Sequence, residues 1–252
     1  RGVAAVLAPW NFPLAISCGM CAAALAAGNT VLYKPSGSSA VVGAGLARLL
    51  RDAGIPDGVF NFIPGRGSEL GDALVRHPAV SVIAFTGSRE IGVRILQQAA
   101  VLQEGQRTLK RVVCELGGKN ALIVDDDADL DEAVTHVLAS AFGYQGQKCS
   151  ACSRVIALEA VYARFVERLV EAARSLRSGP AEDPANDLGP VIDGAARDRI
   201  LAYIELGKKE GKLLYEAAAP QGGHYAPLAL FEGIEPGHRL AASTTDTLVA
   251  ST

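Results

Sequence analysis

Hydrophobic positions along this chain form short β-branched runs that alternate with longer amphipathic segments, with Gly or Pro between them. In the first half the pattern predicts strands over 3–7, 29–33, 59–63 and 80–85, and helices over 14–27, 40–53 and 69–76. Ser38 is predicted to cap the second helix, and Gly54 to end it in the left-handed conformation. This alternation indicates an α/β fold: a parallel, Rossmann-type sheet with helices on both faces.

The second half repeats the alternation in a different phase. Strands are predicted over 111–115, 120–124 and 154–158, and helices over 130–142, 161–176 and 194–207, with a loop over 179–190. We place a boundary near Cys114, which separates residues 1–114 from a second α/β unit over 115–240. The last stretch, 241–252, is small and polar and has no predicted structure.

Composition and charge exclude several classes of protein. The 252 residues are 49% hydrophobic and 20% charged, with a net charge of −3, so we expect no nucleic-acid partner. The uninterrupted apolar stretch Leu14–Ala27 is shorter than the roughly 18 residues that a membrane span needs. No basic, Met-initiated leader opens the chain. We therefore expect no membrane partner and a cytoplasmic location, or the mitochondrial matrix if the source is eukaryotic.

The five cysteines include two Cys-x-x-Cys pairs, which raise the question of zinc or redox chemistry. They are Cys18, Cys21, Cys114, Cys149 and Cys152. The pairs are far apart, no His lies near them, and the first falls in an apolar helical pattern. We expect reduced thiols and no metal.

Three residues have local sequences suited to catalysis. Cys149 follows Lys148, and a neighbouring cation favours the thiolate of a nucleophile, although a lone Cys beside Lys is more often structural. Glu115 ends a strand before two glycines and is a candidate general base, or a surface acid. Asn11 lies between Pro9 and Pro13, where a fixed amide could stabilise an oxyanion or simply form the turn.

Three segments at predicted strand ends are candidates for dinucleotide binding. Gly65, Gly67 and Gly71 form a Gly-x-Gly-x-x-x-Gly loop before a helix, one residue longer than the usual fingerprint. Thr86-Gly87-Ser88 also precedes a helix. Lys34-Pro35-Ser36 ends the second strand, and its ammonium could bind ribose hydroxyls or a phosphate.

Taken in order, these motifs resemble the aldehyde dehydrogenase superfamily over Gly2 to about Leu240. The resemblance rests on five motifs: Pro9–Pro13, Lys34–Ser36, Phe85–Ser88, Glu115–Lys119 and Gly146–Cys149. It implies that 1–114 is part of a dinucleotide-binding domain and 115–240 part of a catalytic domain, both incomplete. It also implies that Cys149 is the nucleophile, Asn11 an oxyanion donor and Glu115 the base. The implied cofactor contacts are Lys34, Ser36, Gly65, Gly67, Thr86, Gly87 and Ser88.

Within the superfamily, two features are similar to pyrroline-5-carboxylate dehydrogenases: the segment Gly146–Arg154 and the extra stretch Ala99–Arg111. The resemblance implies oxidation of L-glutamate γ-semialdehyde to glutamate, in proline catabolism. Lys148 and Ser150 are candidates to meet the carboxylate of this amino-acid semialdehyde, and Phe12 to line the aliphatic part of its pocket. The full-length parent is expected to be a homo-oligomer.

The chain departs from the family pattern at two places. Gly37 stands where many relatives have a Glu that would repel a 2′-phosphate, so NAD is expected as cofactor and NADP stays possible. The tail 241–252 replaces the family's continuation, and we expect an internal fragment of a longer polypeptide. Two alternatives remain: a dehydrogenase for another aldehyde, such as succinate semialdehyde, or a non-catalytic fragment that binds dinucleotide.

Overall fold

A computed structural model of the chain describes residues 2–242 and 249–251. The chain divides into two compact units, Arg1–Leu116 and Gly117–Thr252. Each unit contains its own five-stranded sheet. The division falls two residues after Cys114, so Glu115 belongs to the first unit.

Strands and helices alternate throughout the first unit. Its elements are β1 (Val3–Leu7), α1 (Ala15–Ala26), β2 (Thr30–Lys34), α2 (Ala40–Asp52), β3 (Phe60–Phe62), α3 (Gly67–Arg76), β4 (Val80–Gly87), α4 (Arg89–Ala99) and β5 (Arg111–Leu116). The strand order is β3-β2-β1-β4-β5, and every pairing is parallel. This is the order of a doubly wound nucleotide-binding half, with its switch point between β1 and β4.

Helices cover both faces of the first sheet. Successive residues of a strand point to opposite sides, so each strand packs against helices on both faces. From β1, Val6 packs into a cluster with residues of α1 and α2 such as Cys21 and Leu46. Its neighbours Ala5 and Leu7 pack into a second cluster with residues of α3 and α4. The predicted parallel sheet with helices on both faces is confirmed for this unit.

The second unit is also α/β. Its elements are β6 (Asn120–Val124), α5 (Leu130–Phe142), β7 (Cys152–Ala157), α6 (Glu159–Arg174), α7 (Gly194–Glu210), β8 (Lys212–Glu216), β9 (Ala229–Glu232), α8 (Arg239–Ala242) and β10 (Val249–Ser251). The strand order is β6-β7-β10-β9-β8, and β8 is the antiparallel edge strand.

One apolar cluster holds this second unit together. Phe165 and Leu169 of α6 and Ile200 and Ile204 of α7 pack in it and are almost completely buried. α5 begins at a cap in which Asp129 accepts hydrogen bonds from the backbone N–H groups of Asp131 and Glu132. The helix predicted over 194–207 therefore enters the core through Ile200 and Ile204.

Most predicted elements are present, with two kinds of correction. The predicted cap at Ser38 is wrong: residues 37–39 form a 3-10 turn, and α2 begins after Ser39 without a side-chain cap. The predicted end of α2 is confirmed, since Gly54 has φ +88°. The patterns predict no element beyond residue 207, where the structure has β8, β9, α8 and β10.

The segment 241–252 is described only in part. Residues 243–248 and 252 lie outside the described residues. Ala242 ends α8, and Val249–Ser251 pair in parallel with β9. Among the described residues, no helix combines the length and apolar character needed to cross a membrane.

Candidate active site

The predicted cofactor residues of the first unit lie at one edge of its sheet. They follow or end the parallel strands β2, β3 and β4: Lys34, Ser36, Gly65, Gly67, Thr86, Gly87 and Ser88. In open α/β sheets, ligands bind outside the carboxyl ends of the strands, at the switch point. The fold therefore brings three sequence-distant segments to the edge where a dinucleotide would bind.

Lys34 connects two of these segments. Its side chain is buried, and Nζ donates to the carbonyl oxygens of Pro35 at 2.7 Å and of Gly65 at 3.3 Å. Burial lowers the pKa of this ammonium below its ordinary value. A buried cation that is bound to two carbonyl oxygens and no carboxylate among the described residues is well suited to a negatively charged or hydroxyl-rich ligand.

Two glycines at this edge, Gly65 and Gly67, differ in what surrounds them. A Cβ at Gly65 would lie 2.5 Å from Cδ1 of Leu70, so glycine permits the turn into α3. A Cβ at Gly67 would have no heavy atom within 4 Å, so the first turn of α3 has open space in front of it. Ser88 caps α4 and accepts a hydrogen bond from the Ile91 N–H at 3.4 Å. The N-terminus of α3, which has no side-chain cap, fits a phosphate of a dinucleotide.

Two of the three predicted catalytic residues also lie in the first unit, at the same carboxyl edge. Asn11 is partly buried in the segment after β1, and the neighbouring Phe12 carbonyl accepts a hydrogen bond from Ile16 N as α1 begins. Glu115 is exposed and pairs in register with Thr86 across β4 and β5. Glu115 is part of β5, whereas Asn11 lies in the segment between β1 and α1.

Cys149 lies in the second unit, in a tight turn between α5 and β7. The Ala151 N–H donates to the Lys148 carbonyl at 3.1 Å, which closes a four-residue turn around Cys149 and Ser150. Cys149 and Ser150 are both exposed. A thiol must be accessible to act as a nucleophile, and this position provides that access.

The backbone before this turn is strained. Tyr144, Gln145 and Gly146 have φ of 59°, 56° and 66°, three consecutive residues in the left-handed region. For residues other than glycine this conformation costs on the order of 1 kcal/mol each, and such strain is concentrated at functional sites. The sequence did not predict this left-handed run, because Gly146 is the only one of the three residues that favours a positive φ.

Two amide side chains hold the turn in place. Asn120, the first residue of β6, donates through Nδ2 to the carbonyl oxygens of Cys149 at 2.7 Å and Ala151 at 3.1 Å. Gln147 is buried, and its Oε1 accepts a hydrogen bond from Ile192 N at 3.0 Å. Sequence reasoning missed both as site residues. Their signal was present: an amide at a strand start directly after Glu115–Lys119, and another two residues before the thiol.

Lys148 is turned toward the preceding helix. Its Nζ donates to the Ala139 carbonyl of α5 at 3.3 Å, where a cation also complements the helix dipole. This contact anchors the side chain that was predicted to meet the substrate carboxylate or the thiolate.

The second cysteine of the segment has a different environment. Cys152 is buried in β7, and its thiol donates to the Arg154 carbonyl at 3.2 Å. Burial raises the pKa of the Cys152 thiol. Nearby, burial and then the Arg154 cation lower the pKa of Lys119 from 10.5 to about 8. The two cysteines of this Cys-x-x-Cys pair therefore differ in access, and Cys149 is the accessible one.

Comparison with known proteins gives a family over almost the whole chain. The model of the "Aldehyde dehydrogenase family" matches residues 1–245. That range includes all five motifs on which the sequence resemblance rests.

Individual relatives are similar over the same range. The chain is 46% identical over 240 residues to the 1-pyrroline-5-carboxylate dehydrogenase of Bacillus subtilis, covering 95% of this chain and 47% of that protein. The corresponding protein of Anoxybacillus flavithermus is 48% identical with the same coverage. The chain thus spans about half the length of the curated relatives it matches.

Solved structures agree with these similarities. The Thermus 1-pyrroline-5-carboxylate dehydrogenase with bound NAD superposes with a TM-score of 0.96 at 43% identity, covering 99% of this chain and 48% of that one. Proline utilization A (PutA) from Bdellovibrio bacteriovorus, inactivated by N-propargylglycine, also gives 0.96, at 52% identity, covering 100% of this chain and 26% of that one.

Proposed function

This chain belongs to the aldehyde dehydrogenase family, and on that premise we propose that it carries the nucleophile and cofactor residues of an enzyme that oxidises L-glutamate γ-semialdehyde to glutamate. The names of its relatives support this substrate. The exposed Cys149, in a turn held by side-chain amides, is the observation that carries the proposal.

In the proposed reaction the Cys149 thiolate adds to the aldehyde carbon, and the carbonyl electron pair moves to oxygen. The Asn11 amide and the Cys149 backbone N–H stabilise that oxyanion. The oxyanion collapses with loss of hydride, which leaves a thioester on Cys149. Glu115 then takes a proton from water, whose oxygen attacks the thioester, and the carboxylic acid and free thiol are released.

Bound NAD or NADP would supply the hydride acceptor. Lys34, Ser36, Gly65, Gly67, Thr86, Gly87 and Ser88 are the residues proposed to hold it. The buried Lys34 ammonium and the open N-terminus of α3 fit such a phosphate-bearing group. NAD is the proposed physiological cofactor, and the Thermus relative was solved with NAD.

The substrate would carry an α-amino acid head group as well as an aldehyde. Ser150 is exposed beside Cys149 and can donate to a carboxylate. Lys148 would add a positive charge to the same region, and Phe12 is proposed to contact the aliphatic carbons. The parent polypeptide is proposed to be cytoplasmic and homo-oligomeric. Size-exclusion chromatography with light scattering of the whole parent would test the oligomeric state.

The decisive experiment measures reduced cofactor formed by the purified 252-residue chain. We expect a rapid burst on mixing NAD with L-glutamate γ-semialdehyde, and loss of that burst in Cys149→Ala. Cys18→Ala is the matched control, because Cys18 is also exposed and free but lies in α1. A burst that survives Cys149→Ala would overturn the assignment of the nucleophile.

Two other outcomes decide between the remaining candidates. Faster turnover with succinate semialdehyde than with the amino-acid semialdehyde would replace the substrate and keep the chemistry. Binding of NAD without any burst would identify this chain as a dinucleotide-binding fragment, and its span of about half the relatives' length gives that candidate its weight.

A further inference from the structure

We infer that Asn120 is a positioning residue for the nucleophile: its side-chain amide sets the orientation of the peptide between Cys149 and Ser150. The inference rests on the proposed function, since it concerns the same thiol. Asn120 directly follows the Glu115–Lys119 motif and is not part of it.

The hydrogen bonds of Asn120 connect strand β6 to the centre and the end of the reactive turn. Nδ2 donates to the Cys149 carbonyl at 2.7 Å and to the Ala151 carbonyl at 3.1 Å. The Asn120 carbonyl in turn accepts a hydrogen bond from Ser153 Oγ at 3.3 Å. One residue at the start of a strand thus bonds the nucleophile's own carbonyl and two alternate residues after it, Ala151 and Ser153.

The first of these bonds determines where a backbone donor points. The carbonyl and the N–H of a trans peptide point in opposite directions. Because the Cys149 carbonyl is held toward Asn120, the Ser150 N–H is directed to the opposite side of the turn. Its direction beside the reactive thiol is therefore fixed by a side chain from another strand. Such preorganised donors are what stabilise negative charge in a reaction.

The turn needs this attachment because the backbone just before it is strained. It follows the left-handed residues Tyr144 and Gln145, whose strain favours other conformations of the segment. Gln147 holds the entrance of the turn through Ile192, and Asn120 holds its centre. The turn's own bond, from Ala151 N to the Lys148 carbonyl, does not restrain the Cys149 carbonyl.

Asn120 is exposed, which makes the inference testable without damage to the core. Replacement by Ala removes two donors and leaves no buried cavity, so the chain should still fold. Replacement by Asp keeps the shape but puts carboxylate oxygens against two carbonyl oxygens. If the hydrogen bonds that the amide donates are what matters, Asn120→Asp must lower the reactivity of Cys149 at least as much as Asn120→Ala does.

The first test follows alkylation of the folded chain by iodoacetamide, resolved by mass spectrometry at individual cysteines. We expect the ratio of the rate at Cys149 to the rate at Cys18 to fall about tenfold in Asn120→Ala and Asn120→Asp, from the loss of two hydrogen bonds. Asn61→Ala is the matched control: its Nδ2 also donates to two carbonyls, those of Val31 at 3.3 Å and Gly58 at 2.9 Å. An unchanged ratio in both Asn120 variants would overturn the inference.

The second test uses the burst of reduced cofactor. Asn120→Ala should lower the burst rate constant about tenfold while the burst amplitude per mole of total protein and the KM for aldehyde stay the same. A merely structural role would lower the amplitude and leave the rate constant unchanged, and that result would contradict positioning.

The two tests also separate this inference from the proposed function. If the wild-type chain gives no burst but its Cys149 alkylation ratio responds to Asn120, the positioning role stands and the function fails. If the wild type gives a burst and the Asn120 variants match it, the function stands and the positioning role fails.

Discussion

At the scale of single residues, the cysteines of this chain differ in what surrounds each sulfur. Cys18 and Cys149 are exposed, whereas Cys21 and Cys152 are buried. Burial, with the neighbouring Cys18, raises the pKa of Cys21 to about 12, and burial also raises the pKa of Cys152. Sequence spacing alone makes the two Cys-x-x-Cys pairs look alike, and only the fold distinguishes their members.

Gly37 offers a prediction about cofactor choice. A Cβ at this position would meet no heavy atom within 4 Å, so Gly37→Glu should fold without strain. The new carboxylate would repel a 2′-phosphate and accept a bond from a ribose hydroxyl, so we expect kcat/KM for NADP to fall about tenfold while that for NAD is kept. Gly37→Gln is the neutral control, and an equal effect of both variants on NADP would contradict the electrostatic explanation.

Lys119 offers a prediction about pH. Its folded pKa of about 8 lies below its ordinary value of 10.5, so the folded chain binds this proton less tightly than the unfolded chain. Between those values only the unfolded state keeps the proton, so the contribution of Lys119 to stability rises with pH, by about 3 kcal/mol in total.

Chemical denaturation at pH 7 and pH 10 would measure this contribution. We expect the free energy of unfolding of wild type, relative to Lys119→Met, to be higher at pH 10. A difference between the two proteins that does not change with pH would show that Lys119 is charged in the folded state throughout.

At the scale of elements, glycines in two helices show how packing overrides helix propensity. In α7, a Cβ at Gly207 would lie 2.7 Å from Cζ of Phe231, a ring that is fully buried in β9. In α2, a Cβ at Gly45 would meet nothing within 4 Å. Both glycines look equally unfavourable for a helix in the sequence, yet only Gly207 is required by the contact between helix and sheet.

The two glycines give a matched pair of stability predictions. Gly45→Ala should raise the free energy of unfolding by about 0.5–1 kcal/mol through propensity. Gly207→Ala should lower it by about 1–2 kcal/mol, because overpacking against Phe231 outweighs the same gain. Urea denaturation of both variants measures the two signs, and stabilisation by Gly207→Ala would show that the α7–β9 contact can relax.

At the scale of the whole molecule, the proposed cofactor contacts lie in the first unit and the nucleophile in the second. Substitutions in one unit should therefore change either NAD binding or the reactivity of Cys149, but not both. Lys34→Met should weaken NAD binding about tenfold and leave Cys149 alkylation unchanged. Cys149→Ala should abolish the burst and leave the dissociation constant of NAD unchanged. Displacement of fluorescent NADH by NAD measures the binding, and loss of Cys149 alkylation in Lys34→Met would contradict the separation.

Much of this organisation could be predicted from the sequence, because strand and helix periods are clear where one face of an element meets a core. The sheet of the first unit and the helix over 130–142 are such cases, and the latter is confirmed at both ends. The strands β8 to β10 could not be predicted, since each has only three to five residues and the pattern there is too short to show a period. The left-handed Tyr144 and Gln145 carry no residue signature, and the role of Asn120 depends on a contact across 29 residues.

The central position of β1 in the first sheet also has a consequence for the rate of folding. Val3 pairs with Thr30 on one side and with Val80 on the other, so half of the sheet can form only after a long loop closes. Loop closure of this length is an entropic barrier that precedes any gain from burial, and sheets rich in such distant pairings fold slowly. We expect the β1–β4 encounter to set the refolding time of this unit, with β1–β2 pairing already complete.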